Sequence, residues 1–239
     1  MLRKILTAAI FAGVISGLGI TLVQEFTTTP LILRAEVYEN TAWSREPTRF
    51  RPASLVLAHA GETHDPATAS DWHPAGRLDR LLATLLSNIV TAVGFGLILV
   101  ACYSLYGRKV NGRQGVIWGM AGFTIITLAP ALGLPPELPG TIAADLSDRQ
   151  IWWFAAVGST ATGLWLMVFR PGWMFSLLGI AALALPHLVG APHPESIGGA
   201  VPPELASHFV AASLVTSAIF WAMLGWLSAT LYDRENTAS

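Results

Sequence analysis

The sequence predicts an all-α membrane protein, a polytopic bundle of about six transmembrane helices with one long polar loop. Three observations support this fold class. Hydrophobic residues make up 53% of the 239 positions, charged residues make up only 12%, and the mean hydropathy is +0.53. Soluble domains, by contrast, carry about 25% charged residues. Uncharged stretches recur along the chain, and a spanning helix needs about 20 such predominantly apolar residues.

Six of these stretches define the predicted helices. Each lacks Asp, Glu, Lys and Arg, and each approaches or exceeds the length that crosses a bilayer. The fifth is the weakest, because Pro186 and His187 lie near its end and proline interrupts a helix. We predict a single membrane domain over 1–239, with helices at about 5–24, 81–106, 116–134, 151–169, 172–190 and 209–232 and a long outer loop over 27–78.

Basic residues beside the helix ends predict the orientation. Arg3 and Lys4 precede the first helix, Arg108 follows the second, and Arg170 separates the fourth from the fifth. Because cytoplasmic loops are enriched in Lys and Arg, a multi-pass chain with both termini in the cytoplasm is predicted. The first stretch is similar to a signal peptide, but no convincing small-residue cleavage site follows it, so a retained helix is predicted.

Several functional classes lack their sequence signatures. The single cysteine, Cys102, lies in an apolar stretch, so neither a disulfide framework nor a thiolate metal site is available. A net charge of −1 does not suggest nucleic-acid binding. The phosphate-binding G-x-x-x-x-G-K-[ST] and the peptidase H-E-x-x-H are absent, and the paired mid-membrane histidines that would ligate haem are missing. We predict no enzyme activity and no permanently bound cofactor.

A weak threefold repeat predicts three outward-pointing helical hairpins. In each unit a proline closes the outgoing helix, a leucine and an acid follow, and the returning helix opens a little later. Proline frees a carbonyl one turn earlier, and transporters use such broken helices to bind ions, although prolines also simply end helices at the interface. The prolines are Pro30, Pro130 and Pro186, the acids Glu36, Glu137 and Glu195, and the returning positions Arg80, Arg149 and His208.

Histidines and acids in the long loop are candidate metal ligands. His59, His64, Asp65 and His73 lie within fifteen residues of one another. Imidazole suits Zn, Cu, Ni and Co, and carboxylates add oxygen ligands, so an exchangeable site for a divalent ion is one interpretation. Polar loops are also often rich in such residues without binding metal.

A second candidate group brackets the third outer turn. His187 follows the helix-closing Pro186, His193 lies in the turn, and His208 opens the sixth helix. If helices five and six form an antiparallel pair, these imidazoles lie at one membrane depth, as a transporter mouth requires. The alternative is that they are interfacial histidines bonded to lipid or backbone.

Two polar residues and two glycine pairs stand out within the apolar stretches. Glu25 and Asn88 are expected at membrane depth, where polar groups are costly and usually face the bundle interior or water. The alternative for Glu25 is that it is simply the first residue outside the membrane. Glycines four residues apart, in the pairs Gly13–Gly17 and Gly115–Gly119, permit close helix approach or reflect the glycine content of membrane helices.

Several segments together resemble a known family. They are residues 29–39, the Pro-Pro-Glu-Leu-Pro-Gly turn within 129–140, residues 149–153, residues 185–192 and the stretch around 212–214. The chain resembles the CbtA family of predicted cobalt transporter subunits in prokaryotic inner membranes. The resemblance implies cobalt as the transported ion and a small, single-helix, histidine-rich CbtB-like subunit as a partner, besides membrane lipid. The residues alone would equally accept nickel or zinc.

The sequence and the resemblance together predict a transporter subunit for uptake of a divalent metal ion. The loop residues would concentrate the ion, and the second histidine group with Glu36 and Glu137 would receive it at the mouth. Glu25 and Asn88 would pass it inward, with Pro130 and Pro186 also on the pathway. Rival readings are a non-transporting scaffold or metal sensor, and transport of a cobalamin precursor. The sequence is also compatible with a homo-oligomer of this chain.

Overall fold

The computed structural model describes residues 2–45, 76–194 and 198–237, and the described residues form seven helices. A π-helical segment, Thr124–Leu128, lies inside the fourth helix. The helices are α1 (Leu2–Phe26), α2 (Thr29–Arg45), α3 (Arg77–Tyr106), α4 (Gly112–Ala131), α5 (Leu146–Phe169), α6 (Trp173–Val189) and α7 (Pro203–Thr237).

Five of these helices, α1, α3, α4, α5 and α7, are long and apolar enough to cross a membrane. Helix α6, the predicted weak fifth span, is apolar but has only 17 residues. At 1.5 Å per residue it is about 26 Å long, slightly short of a hydrocarbon core of about 30 Å. The predicted membrane helix bundle is confirmed.

Helix α2 corrects the prediction of a continuous loop over 27–78. It begins at Thr29, so Pro30 opens a new helix instead of closing α1. Proline is tolerated in the first helical turn because the N–H that it lacks has no partner there. Buried Leu31 and Ala35 pack against Leu138 and Phe209. Because α2 also carries charges, the search for uncharged stretches missed it.

Helix α7 lies at the centre of the bundle. It packs along α4 and α1, and α1 packs along α3. Helix α6 packs along α5 and not along α7, so the predicted pairing of helices five and six is wrong. Small residues explain the observed pair, because Gly163 of α5 lies so close to Gly179 of α6 that a Cβ on Gly163 would be 2.6 Å from the Gly179 carbonyl oxygen.

The two glycine pairs are points of close helix contact, as one of the two interpretations predicted. A Cβ on Gly13 or Gly17 would lie 2.6 or 2.7 Å from the backbone of α3. A Cβ on Gly115 would lie 2.2 Å from the carbonyl oxygen of Gly225 in α7, and one on Gly119 would meet α7 in the same way. Glycine is therefore required where α1 meets α3 and where α4 meets α7.

The two ends of the bundle differ in chemistry. One end is aromatic, because rings from α3, α4, α5 and α7 contact one another there. The opposite end carries α2 and the connections after α4 and α6, and we call it the cap end. There the Ala200 N–H donates to the Gly140 carbonyl oxygen at 3.2 Å, which ties two connections together. The aromatic rings belong to Tyr103, Tyr106, Trp118, Phe169 and Tyr232.

Candidate functional site

Asn88 joins a hydrogen-bonded cluster between α1 and α3. Its side-chain amide donates to Thr21 Oγ1 at 2.9 Å and to Gln24 Oε1 at 2.6 Å. Thr21 is only 5% exposed. Polar groups at membrane depth are costly unless they find partners, and here both amide protons of Asn88 are used. Asn88 therefore links two helices through partly buried polar contacts.

The cluster continues to α7 near the cap end. Thr27 Oγ1 donates to the Val23 carbonyl oxygen at 2.8 Å and lies 3.1 Å from Thr216 Oγ1. Since the Thr27 proton is already used, Thr216 is the donor in the second contact. Thr216 and Thr28 are buried. We call this set the polar seam, and it comprises Thr21, Gln24, Glu25, Thr27, Thr28, Asn88 and Thr216.

Glu25 lies at the cap end of the polar seam. Its carboxylate is 3.8 Å from the guanidinium of Arg77, and the side chains are 23% and 93% exposed respectively. An ion pair at this distance with one solvated partner contributes little to stability. The carboxylate is thus half-enclosed beside Gln24 and only loosely held, which leaves it accessible to a cation.

Glu36 and Glu137, the other predicted carboxylates, are both paired with arginine. Arg80 donates two hydrogen bonds to Glu36, at 2.5 and 3.2 Å, and Arg149 lies 3.0 Å from Glu137. The arginines occupy equivalent places in the repeat, one at the start of each returning helix. The weak repeat in the sequence aligned Arg80 with Arg149 but did not predict their ion pairs. A metal ion at either carboxylate would have to displace a guanidinium.

The described histidines of the second group do not form a metal-binding group of three or more ligands. His187 is half-buried, with its ring 5.7 Å from that of Trp152, whose Nε1–H donates to the Pro186 carbonyl oxygen at 3.2 Å. His193 and His208 are exposed. Among the described residues, no three His, Cys, Asp or Glu side chains form a group that could hold a metal ion. The candidates outside the described residues are His59, His64, Asp65, His73 and Glu195.

His208 lines a groove between α2 and the start of α7. The groove has a volume of about 490 Å³, and Glu204, Tyr38 and Arg34 also line it. Glu204 precedes His208 by one helical turn, so the carboxylate and the imidazole share a helix face. Sequence reasoning missed Glu204, although its spacing from His208 was visible. This pair offers two ligands of the types that bind first-row divalent metals.

Pro130 and Glu137 lie away from the polar seam, in a cleft between α4 and α5. The cleft has a volume of about 460 Å³, and no seam residue lines it. Thr127, Arg149 and Gln150 supply its other polar side chains. Two of the predicted pathway residues therefore occupy a site of their own.

A comparison with protein families settles the broader class. The model of the family described as "Probable cobalt transporter subunit (CbtA)" matches residues 2–233, nearly the whole chain. The chain belongs to the CbtA family. No curated protein and no solved structure matches it significantly.

Membership of the CbtA family assigns the chain to cobalt transport at the level of the family. Cobalt as the transported ion fits the family description, which is that of a transporter subunit. The word subunit implies a complex with a partner. The membrane helices of the fold agree with these assignments.

Proposed function

We propose that this CbtA family member takes up divalent cobalt across the prokaryotic inner membrane, and that the ion passes along the polar seam. The main support is the Asn88 cluster, which places two amides and a hydroxyl in contact between apolar helices. Polar side chains at membrane depth are costly and usually face the bundle interior or water. Glu25 provides a carboxylate where the seam reaches the cap end.

Entry at the cap end is proposed to use imidazole and carboxylate ligands. The loop residues His59, His64, Asp65 and His73 would concentrate the ion. His208 with Glu204 would then bind it in the groove, since both residues line it. His187 and His193 are further candidates at the mouth. Glu36 would contribute only if the ion displaces Arg80, so we place it after His208. Glu137 lies in the separate cleft between α4 and α5, so we leave it out of the proposed route.

An inside-negative membrane potential would favour this direction of transport. Moving one charge across 100 mV changes the free energy by about 2.3 kcal/mol, so a divalent ion gains roughly 4.6 kcal/mol. We propose that both termini are cytoplasmic, which places the cap end outside. The aromatic end, flanked by Arg108 and Arg170, then faces the cytoplasm, as the distribution of basic residues predicts.

The proposed partner is a small CbtB-like subunit with one membrane helix and a histidine-rich end. Helix α6 offers a place for a partner helix, because it packs along α5 alone among the described helices. Its remaining surface is apolar and largely exposed, as at Leu177 and Leu185. Lipid or a second copy of the chain could cover the same surface.

Uptake of radioactive cobalt tests the proposal. Cells expressing the chain, alone and with the small partner, are expected to accumulate cobalt above the vector control, with competition by nickel or zinc. Asn88→Leu should lower the uptake rate roughly tenfold, the effect of about 1.4 kcal/mol on the barrier. Thr91→Leu, on an exposed face of the same helix, is the matched control and should leave uptake unchanged.

The same experiment separates the rival functions. Cobalt binding to the purified chain without accumulation in cells, with the protein verified in the membrane, would replace transport by a scaffold or sensor role. Uptake of a labelled cobalamin precursor that free cobalt does not inhibit would identify the larger molecule as cargo. Unchanged uptake by Asn88→Leu would show that the ion takes a path other than the polar seam.

A further inference from the structure

The cleft between α4 and α5 has the size and position of a lipid headgroup site. Its volume of about 460 Å³ lies within the range of small-molecule sites, about 300–1,000 Å³, and far exceeds what a bare ion needs. It extends from Arg149, in the first turn of α5, to Phe154, and Phe154 is 67% exposed. At 1.5 Å per residue, Phe154 lies about 12 Å along α5 from Leu146. The cleft thus opens on the lipid-facing surface near the membrane interface.

One wall of the cleft presents backbone carbonyls with few donors. The Ala129 N–H donates to Thr124, Pro130 has no N–H, and the N–H groups of Leu132, Gly133 and Leu134 donate to Ala129 and Pro130. An α-helix would use the N–H groups of residues 129–132 for the carbonyls of residues 125–128, but Pro130 has none and those of Ala129 and Leu132 donate elsewhere, so the Ile126 carbonyl lacks its usual donor. Two of those residues, Ile126 and Thr127, line the cleft. Carbonyls in this situation accept hydrogen bonds from a ligand or water.

The opposite side of the cleft carries a loosely joined pair of charges. Arg149 Nη2 lies 3.0 Å from Glu137 Oε2, and each side chain is about one-third exposed. The equivalent pair, Glu36 with Arg80, closes two hydrogen bonds instead. Glu137 Oε1 and the other guanidinium N–H groups therefore remain for a ligand that is positive at one end and negative at the other.

We propose that this cleft binds a zwitterionic phospholipid whose headgroup carries a primary ammonium. The ammonium donates to Glu137 Oε1 and to the carbonyl of Ile126. The phosphate accepts from Arg149 and from the Gln150 amide, while the acyl chains pass along Phe154 into the bilayer. A quaternary ammonium has no N–H to donate, so the cleft distinguishes the two zwitterionic headgroups. The proposal is independent of cobalt transport.

Native mass spectrometry of the purified full-length chain in detergent tests the proposal by lipid titration. Phosphatidylethanolamine should bind about tenfold more tightly than phosphatidylcholine of the same acyl chains, a difference of about 1.4 kcal/mol, because only the primary ammonium donates hydrogen bonds. Phosphatidylglycerol, which lacks the ammonium, should bind no better than phosphatidylcholine. Soluble phosphoethanolamine, which has the headgroup but no acyl chain, should not compete at equal concentration.

Two substitutions assign the preference to the cleft. Glu137→Gln should abolish the tenfold preference for the primary ammonium. Glu36→Gln breaks the equivalent ion pair outside the cleft and should retain the preference. Equal binding of the two zwitterionic lipids to the unmodified chain would overturn the proposal, whether or not the variants fold. So would a preference that survives Glu137→Gln, or competition by phosphoethanolamine, which would indicate a soluble ligand.

Discussion

Replacing Gly119 with alanine should separate α4 from α7. An added Cβ would lie 2.1 Å from the Trp221 carbonyl oxygen and 3.2 Å from the Gly225 Cα, whereas real Cβ contacts essentially never fall below 3.0 Å. The oxygen must therefore retreat by about 1 Å, and as a backbone atom it cannot rotate aside. Overpacking of this kind costs about 1–3 kcal/mol. Alanine also gains up to about 1 kcal/mol of helix propensity, which offsets part of that cost.

Gly94→Ala is the matched control, because a Cβ at Gly94 meets no atom within 4 Å. This variant gains the same helix propensity without the clash, so its free energy of unfolding should be unchanged or higher by up to about 1 kcal/mol. Gly119→Ala should then be less stable than Gly94→Ala by about 1–3 kcal/mol. Denaturant unfolding in micelles, followed by tryptophan fluorescence, measures the difference. If the two variants agree within about 0.5 kcal/mol, the close contact between α4 and α7 does not exist.

Three further predictions concern the cap end. Trp152→Phe removes the hydrogen bond to Pro186. It should lower the free energy of unfolding by about 0.6 kcal/mol, the average for a hydrogen bond between membrane helices. The control, Trp153→Phe, should lower it less in the same assay. The hydroxyl and backbone N–H of Ser147 donate to Asp145 and lower the pKa of its carboxyl below the ordinary value. The Asp145 carboxylate therefore stabilises the fold at a pH above the ordinary pKa, and this stabilisation is lost as the pH falls through the lowered pKa. Asp145→Asn should flatten that acid loss in unfolding measured from pH 7 downward, and an unaltered slope would contradict the assignment. The double substitution of Glu204 and His208 by alanine should raise the cobalt concentration for half-maximal uptake, and an unchanged value would remove the groove from the entry route.

Hydropathy predicted the spanning helices but could not predict how they pair. Uncharged stretches located α1, α3, α4, α5 and α7, because a spanning helix must be apolar along its whole length. Helix α2 escaped because it buries one face and exposes charged residues such as Arg34. The pairing of α6 with α5 depends on small residues such as Gly163 and Gly179 meeting face to face. A one-dimensional pattern does not show which helices meet.

The candidate site was predicted in part, for a similar reason. Asn88 was recognised because an amide within an apolar stretch needs partners, but its partners, Thr21 and Gln24, lie 67 and 64 residues away along the chain. Glu36 and Glu137 were predicted as residues that receive the ion, but the arginines that pair with them were not predicted. The metal-binding role of the long loop stays a prediction, because its histidines lie outside the described residues.

The central position of α7 determines when the bundle can be completed during synthesis. Helix α4 begins at Gly112 and its main partner begins at Pro203, so about 90 further residues must be made first. At 5–20 residues per second this takes roughly 5–18 s. During that time α1 and α3 can pair, whereas the glycine surface of α4 must be covered by lipid or by the insertion machinery. A nascent chain that stalls before α7 thus carries a recognisable defect, the uncovered glycine surface of α4, which membrane quality control could use to remove it.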